Sequence, residues 1–258
     1  MLKRLFVLST VVSGLLLLSG PALACSALIG PRGSVELGRT TTLAGYWGGK
    51  EHYVTAFKFG GGGGKFGSIV PLPGIPDKVE RGGDWTLQRL IRETAPQLGA
   101  AGTIAPLSAE VREDSAREVY TVRVDALDIT VLEGGGPAVG LWAKKHGFLL
   151  PPDSPAVLDF YAKRSKIFMA AVFDADAARD QGQQIGDGTP VHLTIPVKQP
   201  WVPLRILGLG KPGEDLVEAD IYLLTPSRPT LLPVRAPGFE LERRVLASGS
   251  LLADLRSD

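Results

Sequence analysis

The chain contains a single cysteine, Cys25, which directly follows an N-terminal segment with the order of a secretory signal. Lys3 and Arg4 supply positive charge, Leu5–Leu18 form a mainly apolar stretch, and Ala22-Leu23-Ala24 is the small-x-small pattern of a cleavage site. Exported proteins often gain stability from disulfides, but one cysteine cannot form a disulfide within its own chain. Either the fold needs no disulfide at this size, or Cys25 pairs with another molecule or carries lipid.

The residues around the cleavage site leave two outcomes open. Cleavage after Ala24 would release a soluble periplasmic or secreted protein, whereas lipidation of Cys25 would anchor the protein to a membrane. We predict soluble export, with the lipid anchor as second choice. A lipoprotein site usually has a large aliphatic residue where Ala22 stands and a small one where Leu23 stands. Leu5–Leu18 is too short to span a membrane, which takes about 20 apolar residues.

Composition narrows the classes of partner. Removing 24 of the 258 residues leaves 234, enough for one large domain. The signal carries two of the 28 Lys and Arg residues and none of the 27 Asp and Glu residues, so the mature chain has a net charge of −1. A neutral surface argues against nucleic acid as the main partner, and membrane contact is expected only if Cys25 is lipidated. The partner is then an unidentified envelope protein or ligand.

The order of strand and helix patterns predicts an α+β fold, a largely antiparallel β-sheet with a few short helices packed on it. Residues 25–225 form the predicted single domain, which leaves open a division into two subdomains joined near residues 97–117. Residues 226–258 form a proline-containing C-terminal tail. The predicted strands are residues 41–48, 52–59, 66–72, 118–131 with a bulge or tight turn near Asp125, 167–173, 190–197, 203–209 and 217–224. The predicted helices are residues 85–94, 138–146 and 154–164.

Two of these elements are expected to pack together. Residues 52–72 predict a β-hairpin with the glycine run 60–64 at its tip, and Tyr53, Phe57 and Phe59 would line one face of it. The helix that follows Asp84 has an apolar stripe, which we expect to dock on that aromatic face. The stripe consists of Trp85, Leu87, Leu90 and Ile91.

An ordered set of segments resembles a known family. The set consists of Phe66–Glu80 with its Pro-x-Pro-x-x-Pro pattern, Leu141–Pro151, Tyr161, Ile167–Phe173, Pro190–Ile195 and Pro203–Ile206. In these segments the chain is similar to the exported bacterial family catalogued as domain of unknown function 2330. The resemblance implies a signal peptide and a mature start near Ala-Cys, and it implies no activity. Many members have a further cysteine soon after the first, and this chain does not.

The motifs for catalysis and metal binding are weak. Phe59 and Phe66 stand where a phosphate-binding loop around the glycine run would need Gly and Ser or Thr, so we interpret the run as a turn. The three histidines, His52, His146 and His192, lie far apart in the sequence without metal-ligand spacing. An acidic cluster at Asp174, Asp176, Asp180 and Asp187 lacks the pattern of a calcium loop. We therefore predict no catalytic residues, no cofactor and no metal site.

A binding surface is predicted around the second and third helices. Trp142, His146, Tyr161 and Lys163 lie there among further lysines and an arginine, and aromatic with cationic groups suit a polar or anionic partner. The alternative is that the rings belong to the core. The predicted function is a non-catalytic binding or scaffolding protein of the cell envelope. The second hypothesis is an extracytoplasmic hydrolase or metal-dependent enzyme, whose site would be assembled from distant residues.

Overall fold

A computed structural model describes residues 27–30, 33–34, 39–58, 65–94, 116–182, 188–210, 218–226, 235–236 and 239–240. The predicted signal with Cys25, the glycine run 60–64 and most of residues 97–117 lie outside these residues. The described part consists of two mainly antiparallel sheets and four short α-helices, which confirms the predicted α+β class.

Six strands form the first sheet: β1 (Ala27–Gly30), β2 (Gly33–Ser34), β5 (Lys65–Leu72), β7 (Arg117–Val124), β8 (Leu127–Glu133) and β9 (Ile167–Asp174). They are antiparallel throughout, in the order β2-β1-β5-β9-β8-β7. Five strands form the second: β3 (Arg39–Trp47), β4 (Lys50–Lys58), β6 (Lys78–Arg81), β10 (Gly188–Pro196) and β11 (Glu218–Leu224). Their order is β11-β3-β4-β10-β6, and only β11 with β3 is parallel. The two-residue strands β12 (Arg235–Ala236) and β13 (Phe239–Glu240) pair with each other.

The two sheets pack face to face around the main core. Because side chains alternate along a strand, each sheet turns every second residue inward, and these inward residues are mostly apolar. The six-stranded sheet contributes Val70, Leu72, Ile129, Val131 and Met169, and the five-stranded sheet contributes Tyr53, Val191, Leu193 and Ile195. All of these are at most 1% exposed.

Helices cover the outer face of the six-stranded sheet. The covering elements are α2 (Gly136–Lys145), α3 (Ser154–Ala162) and a 3-10 helix (Arg205–Gly208). Phe168 and Leu132 of the sheet are fully buried beneath them. A shorter helix, α4 (Ala175–Asp180), follows β9 and is capped by the Asp174 carboxylate, which accepts hydrogen bonds from two backbone N–H groups. Of the predicted acidic cluster, Asp174 therefore caps α4, and Asp176 forms an ion pair with Arg179.

Among the described residues, those that pack on the outer face of the five-stranded sheet cover only part of its area. Helix α1 (Asp84–Thr94) packs Leu87 and Leu90 against Leu43, Val54 and Ala56. This is the face opposite to Tyr53, so the predicted docking of the helix on the Tyr53 face is wrong. Trp85 is 42% exposed and lies outside the buried stripe.

The strand partners correct one further prediction. The predicted hairpin 52–72 is wrong, because β4 pairs with β3 and β10 while β5 lies in the other sheet. The true hairpin turns at Gly48-Gly49, whose φ angles of 59° and 76° suit a tight two-residue turn. Alternation along a strand specifies its faces but not its neighbours, and this is why the sequence pattern misassigned the pair.

The predicted strand 203–209 is also wrong. Residues Arg205–Gly208 form the 3-10 helix, in which Leu207 N–H donates to Leu204 O at 3.1 Å. A short apolar run fits a strand and a buried helical turn equally well. The alternative of a tight turn near Asp125 is confirmed, since β7 and β8 form a hairpin there and Asp125 has a φ of 49°. No helix among the described residues is long and apolar enough to cross a membrane.

Candidate functional site

Four side chains from four adjacent strands form a row on the part of the five-stranded sheet that α1 leaves accessible. They are Trp47 of β3, His52 of β4, His192 of β10 and Glu80 of β6, and we call them the imidazole row. Strand register explains the row. His192 is paired with Glu80 on one side and with Val54 on the other, and His52 lies two residues from Val54 on the same face.

The two histidines share one hydrogen bond. His52 Nδ1 and His192 Nε2 are 3.0 Å apart, and the ring centroids are 5.2 Å apart. The centroid distance equals the nitrogen–nitrogen distance plus about one ring diameter, so both nitrogens lie between the rings and point at each other. One ring must therefore donate an N–H while the other accepts, and the two rings cannot both be protonated without breaking this bond.

Their surroundings favour the neutral forms. Burial is the main cause that lowers the pKa of His52, and the charge of Lys50 adds to it. Burial likewise lowers the pKa of His192, helped by His52 and Lys78 and opposed by Glu80. Removing water from a cationic ring and placing ammonium groups near it both penalise the imidazolium.

Glu80 orients the pair. Its Oε1 lies 3.6 Å from His192 Nδ1, and its Oε2 forms an ion pair with Lys78 Nζ at 2.6 Å. At 3.6 Å this contact is electrostatic and not a hydrogen bond, and a carboxylate on this side favours the tautomer that carries its proton on His192 Nδ1. In that tautomer His192 Nε2 accepts from His52 Nδ1–H, and His52 Nε2 keeps its lone pair as the terminal acceptor of the chain.

Trp47 stacks on the other side of His52. The indole and imidazole centroids are 4.4 Å apart with an interplanar angle of 13°, and Trp47 is 49% exposed. Gly45 makes room for this arrangement, because a Cβ there would lie 3.0 Å from the indole ring. The strand thus presents a large aromatic surface next to a hydrogen-bonding imidazole.

The residue before His52 points the opposite way. Glu51 is fully buried between the sheets, where its Oε2 accepts a hydrogen bond from Trp201 N–H at 3.2 Å. Its Oε1 has no hydrogen-bond partner in the described part of the chain. Burial raises the pKa of Glu51 to about 7, and the bond from Trp201 only partly opposes this. Adjacent residues of β4 therefore carry ionisable groups whose pKa values shift in opposite directions.

The imidazole row does not have the geometry of a metal centre. A metal needs lone pairs that converge on one point, whereas the two facing nitrogens here point at each other. Glu80 lies beside the far nitrogen of His192 and not at the contact between the rings. Across the described ranges, no group of three or more His, Cys, Asp or Glu residues is arranged to hold a metal ion.

The comparison with protein families gives one clear match. Residues 20–232 match the model of domain of unknown function 2330, described as an uncharacterized protein conserved in bacteria. The chain belongs to this family. No curated protein matches it. Among solved structures it has a weak similarity to a mutated baculovirus P35 after caspase cleavage, at 10% identity and a TM-score of 0.35. That alignment covers 62% of this chain and 55% of the P35 chain.

In this family member, two of the four residues of the predicted ligand surface lie together. Trp142 and His146 of the α2 region stack with their centroids 3.8 Å apart. Trp142 Nε1–H donates to Glu118 Oε1 at 2.6 Å, and His146 Nε2 lies 3.9 Å from the same oxygen. Trp142 is only 4% exposed, so its indole joins α2 to β7 and offers little surface to a ligand, whereas the His146 side chain is exposed.

The other two residues lie at the C-terminal end of α3. Tyr161 is 2% exposed, and its hydroxyl accepts a hydrogen bond from Ile206 N–H at 3.1 Å. Burial raises the pKa of Tyr161 to about 12, against the opposing effects of backbone hydrogen bonds and two nearby arginines. Lys163 is exposed immediately after the helix. Tyr161 therefore has a structural position, while Lys163 is accessible.

Sequence reasoning missed the imidazole row. The alternation of β4 indicated that His52 shares a face with Val54 and Ala56, but nothing in the sequence pairs β4 with β10. The contact joins residues 140 positions apart. The only local signal was the glycine two residues before Trp47, which is unusual inside a strand and marks a close approach.

Proposed function

We propose that this member of the family is an exported cell-envelope protein that binds a polar, uncharged ligand without transforming it. The ligand would contact the imidazole row. The observation that supports this function is the half-exposed indole of Trp47, held flat against an imidazole chain on the accessible part of a sheet face.

The charges near the row favour an uncharged ligand. Lys78 is paired with Glu80, and Lys50 is paired with Asp77 at 2.9 Å, so the cations have local counter-ions. The groups left for a ligand are the indole surface, the acceptor nitrogen of His52 and the Thr194 hydroxyl, which lies opposite His52 in the register. An aromatic plane with a few hydrogen-bonding groups suits a ligand that has one apolar face and many hydroxyls. Saccharide chains of the cell envelope have this chemistry.

Export is supported by the signal-like order of residues 1–24 and by the Ala-Leu-Ala sequence before Cys25. N-terminal sequencing of protein from envelope and medium fractions tests it, and the expected first residue is Cys25. Recovery of the Met1 end would contradict export, and a lipid-modified Cys25 would favour the anchored form.

Binding can be measured by titrating soluble cell-wall glycan fragments while following tryptophan fluorescence. We expect Trp47→Ala to weaken binding about tenfold, because loss of an aromatic stacking partner costs about 1 kcal/mol or more. Trp85→Ala is the matched control, since Trp85 is similarly exposed but lies on α1. Equal binding by both variants, or no saturable signal with the wild-type protein, would contradict the proposed site.

One observation favours the second hypothesis, an extracytoplasmic hydrolase. The Glu80–His192–His52 chain leaves a lone pair on His52 Nε2, which is the arrangement of an oriented general base. If the wild-type protein cleaves the same glycan fragments and His52→Gln abolishes cleavage, the protein is an enzyme. Release of no fragment by either protein, with binding intact, supports the binding function.

A further inference from the structure

A cluster of cations lies on the opposite side of the sandwich, at the end of α3. Lys163, Arg164 and Lys166 follow this helix, and Arg205 opens the 3-10 helix. All four side chains are exposed, and none has a carboxylate partner among the described residues. Other exposed arginines of the described part do have such partners, for example Arg117 with Glu133 and Arg123 with Asp128.

The two arginines of this cluster share one aromatic ring. The guanidinium carbon of Arg164 lies 4.7 Å from the Phe160 ring centroid, and that of Arg205 lies 4.6 Å from it. Stacking on a ring occupies the face of a guanidinium and leaves the N–H groups at its edge available. Because both carbons lie so close to one centroid, the two charges are within about one Debye length of each other at 0.1 M salt.

Buried contacts hold the two arginines in place although they belong to different elements. The Tyr161 hydroxyl accepts the Ile206 N–H and so joins α3 to the 3-10 helix, one residue from Arg205. Tyr161 also packs edge-to-face on Phe160 at 5.1 Å and stacks on Trp201 at 5.6 Å. The cluster therefore rests on a rigid base, which lowers the entropy cost of ligand binding.

We propose that Arg164, Arg205 and the flanking Lys163 and Lys166 bind a phosphate group. The edge of each guanidinium can donate two N–H bonds to the oxygens of an oxyanion, and binding offsets the repulsion between the cations. Inorganic phosphate, with up to two charges, fits four cations better than a singly charged carboxylate does, and a lipid phosphodiester offers one charge with the same kind of oxygen acceptors. This site is separate from the imidazole row, so each can be tested while the other is intact.

The test is a titration of the full mature chain with inorganic phosphate at constant ionic strength, followed by calorimetry and by the thermal unfolding midpoint. We expect saturable binding and a higher midpoint. Arg164→Gln and Arg205→Gln should each weaken binding about tenfold, because a hydrogen bond to a charged group contributes about 1.5–3 kcal/mol. Arg123→Gln removes the same charge from an exposed arginine elsewhere and should leave binding unchanged.

A second arm identifies the source of the phosphate. Vesicles of phosphatidylcholine alone are compared with vesicles that also contain phosphatidylglycerol, with the same variants. Binding of inorganic phosphate that depends on both arginines indicates a soluble ligand, and arginine-dependent binding confined to phosphatidylglycerol vesicles indicates a lipid headgroup. The proposal is overturned if neither probe binds, or if Arg123→Gln weakens binding as much as Arg164→Gln does.

Discussion

The outer faces of the two sheets are built differently. On the six-stranded sheet, α2, α3 and the 3-10 helix bury Phe168, Leu132 and Ile69, and the cations proposed to bind phosphate lie on these covering helices. On the five-stranded sheet, α1 packs on Leu43, Val54 and Ala56, and the part of the face that the described residues leave uncovered displays the imidazole row. A covered face has to be apolar to be stable, whereas an uncovered one can keep polar and aromatic side chains for a ligand. The sheet face itself can therefore offer a site on the five-stranded sheet, whereas on the other side a site has to lie on the helices.

The largest loss of stability should come from a substitution on the covered outer face of the six-stranded sheet. Phe168→Ala removes a fully buried aromatic ring and leaves a cavity, so we expect it to lower the free energy of unfolding by about 3–5 kcal/mol. Trp47→Ala, on the uncovered face, should cost about 1 kcal/mol or less because half of its side chain is already exposed. Chemical denaturation of both variants measures this contrast. Similar losses would mean that the uncovered face is part of the core.

A pH experiment tests the raised pKa of Glu51, which lies on the buried side of β4. The folded state raises the pKa of Glu51 from 4.5 to about 7, so it binds more protons than the unfolded state between these values. Stability from this group is lost as pH rises through that window, by about 3 kcal/mol in all. Glu51→Gln should therefore gain stability relative to wild type between pH 5 and pH 8. A flat difference between Glu51→Gln and wild type across this range would contradict the assignment.

A smaller difference in stability should distinguish the buried Leu90 of α1 from the half-exposed Trp85. Leu90 is 6% exposed and packs on Val54, so Leu90→Ala should lower the free energy of unfolding by about 2–3 kcal/mol. Trp85→Ala should cost under about 1 kcal/mol, because its side chain is 42% exposed. The denaturation midpoints of the two variants measure this difference. A larger loss for Trp85→Ala would show that Trp85 belongs to the buried face of α1, as the sequence pattern predicted.

The smallest expected effect concerns the histidine pair, because both rings are partly exposed. Both pKa values are lowered in the folded protein, so the unfolded state takes up protons first as pH falls below about 6.5. The pair contributes stability above that pH and loses it in acid, the opposite trend to Glu51. His192→Gln should reduce this acid-side loss when unfolding is measured from pH 7 to pH 5, and the remaining loss belongs to His52, whose pKa is lowered mainly by its own burial. An unchanged slope would contradict the lowered pKa of His192.

Much of the secondary structure could be predicted from local patterns, and strand partners could not. Helix α1, with its Leu87 and Leu90 stripe, was found because helical periodicity is contained within a few turns. The pairing of β4 with β10 was missed because it depends on which sheet each strand joins, and the alternation of side chains along a strand does not specify its neighbours. The same limit hid the contact between His52 and His192, since their proximity is a property of the register. The sequence predicted Trp142 and Tyr161 as part of a ligand surface, and both rings are buried, because residue type alone does not separate structural rings from accessible ones.

The parallel pair of β3 and β11 also has a consequence for the timing of folding. Residue Arg39 of β3 is matched with Glu218, 179 positions later, and β4 is matched with residues of β10 that lie 130 or more positions away. Pairings at such separation require most of the intervening polypeptide to be available, and they make folding slow because long loops must close first. The five-stranded sheet therefore cannot be completed before residue Glu218 has been synthesised. If the protein is exported as proposed, a polypeptide whose second sheet is still open remains suitable for threading through a translocation channel, and the imidazole row forms only when β10 joins β4.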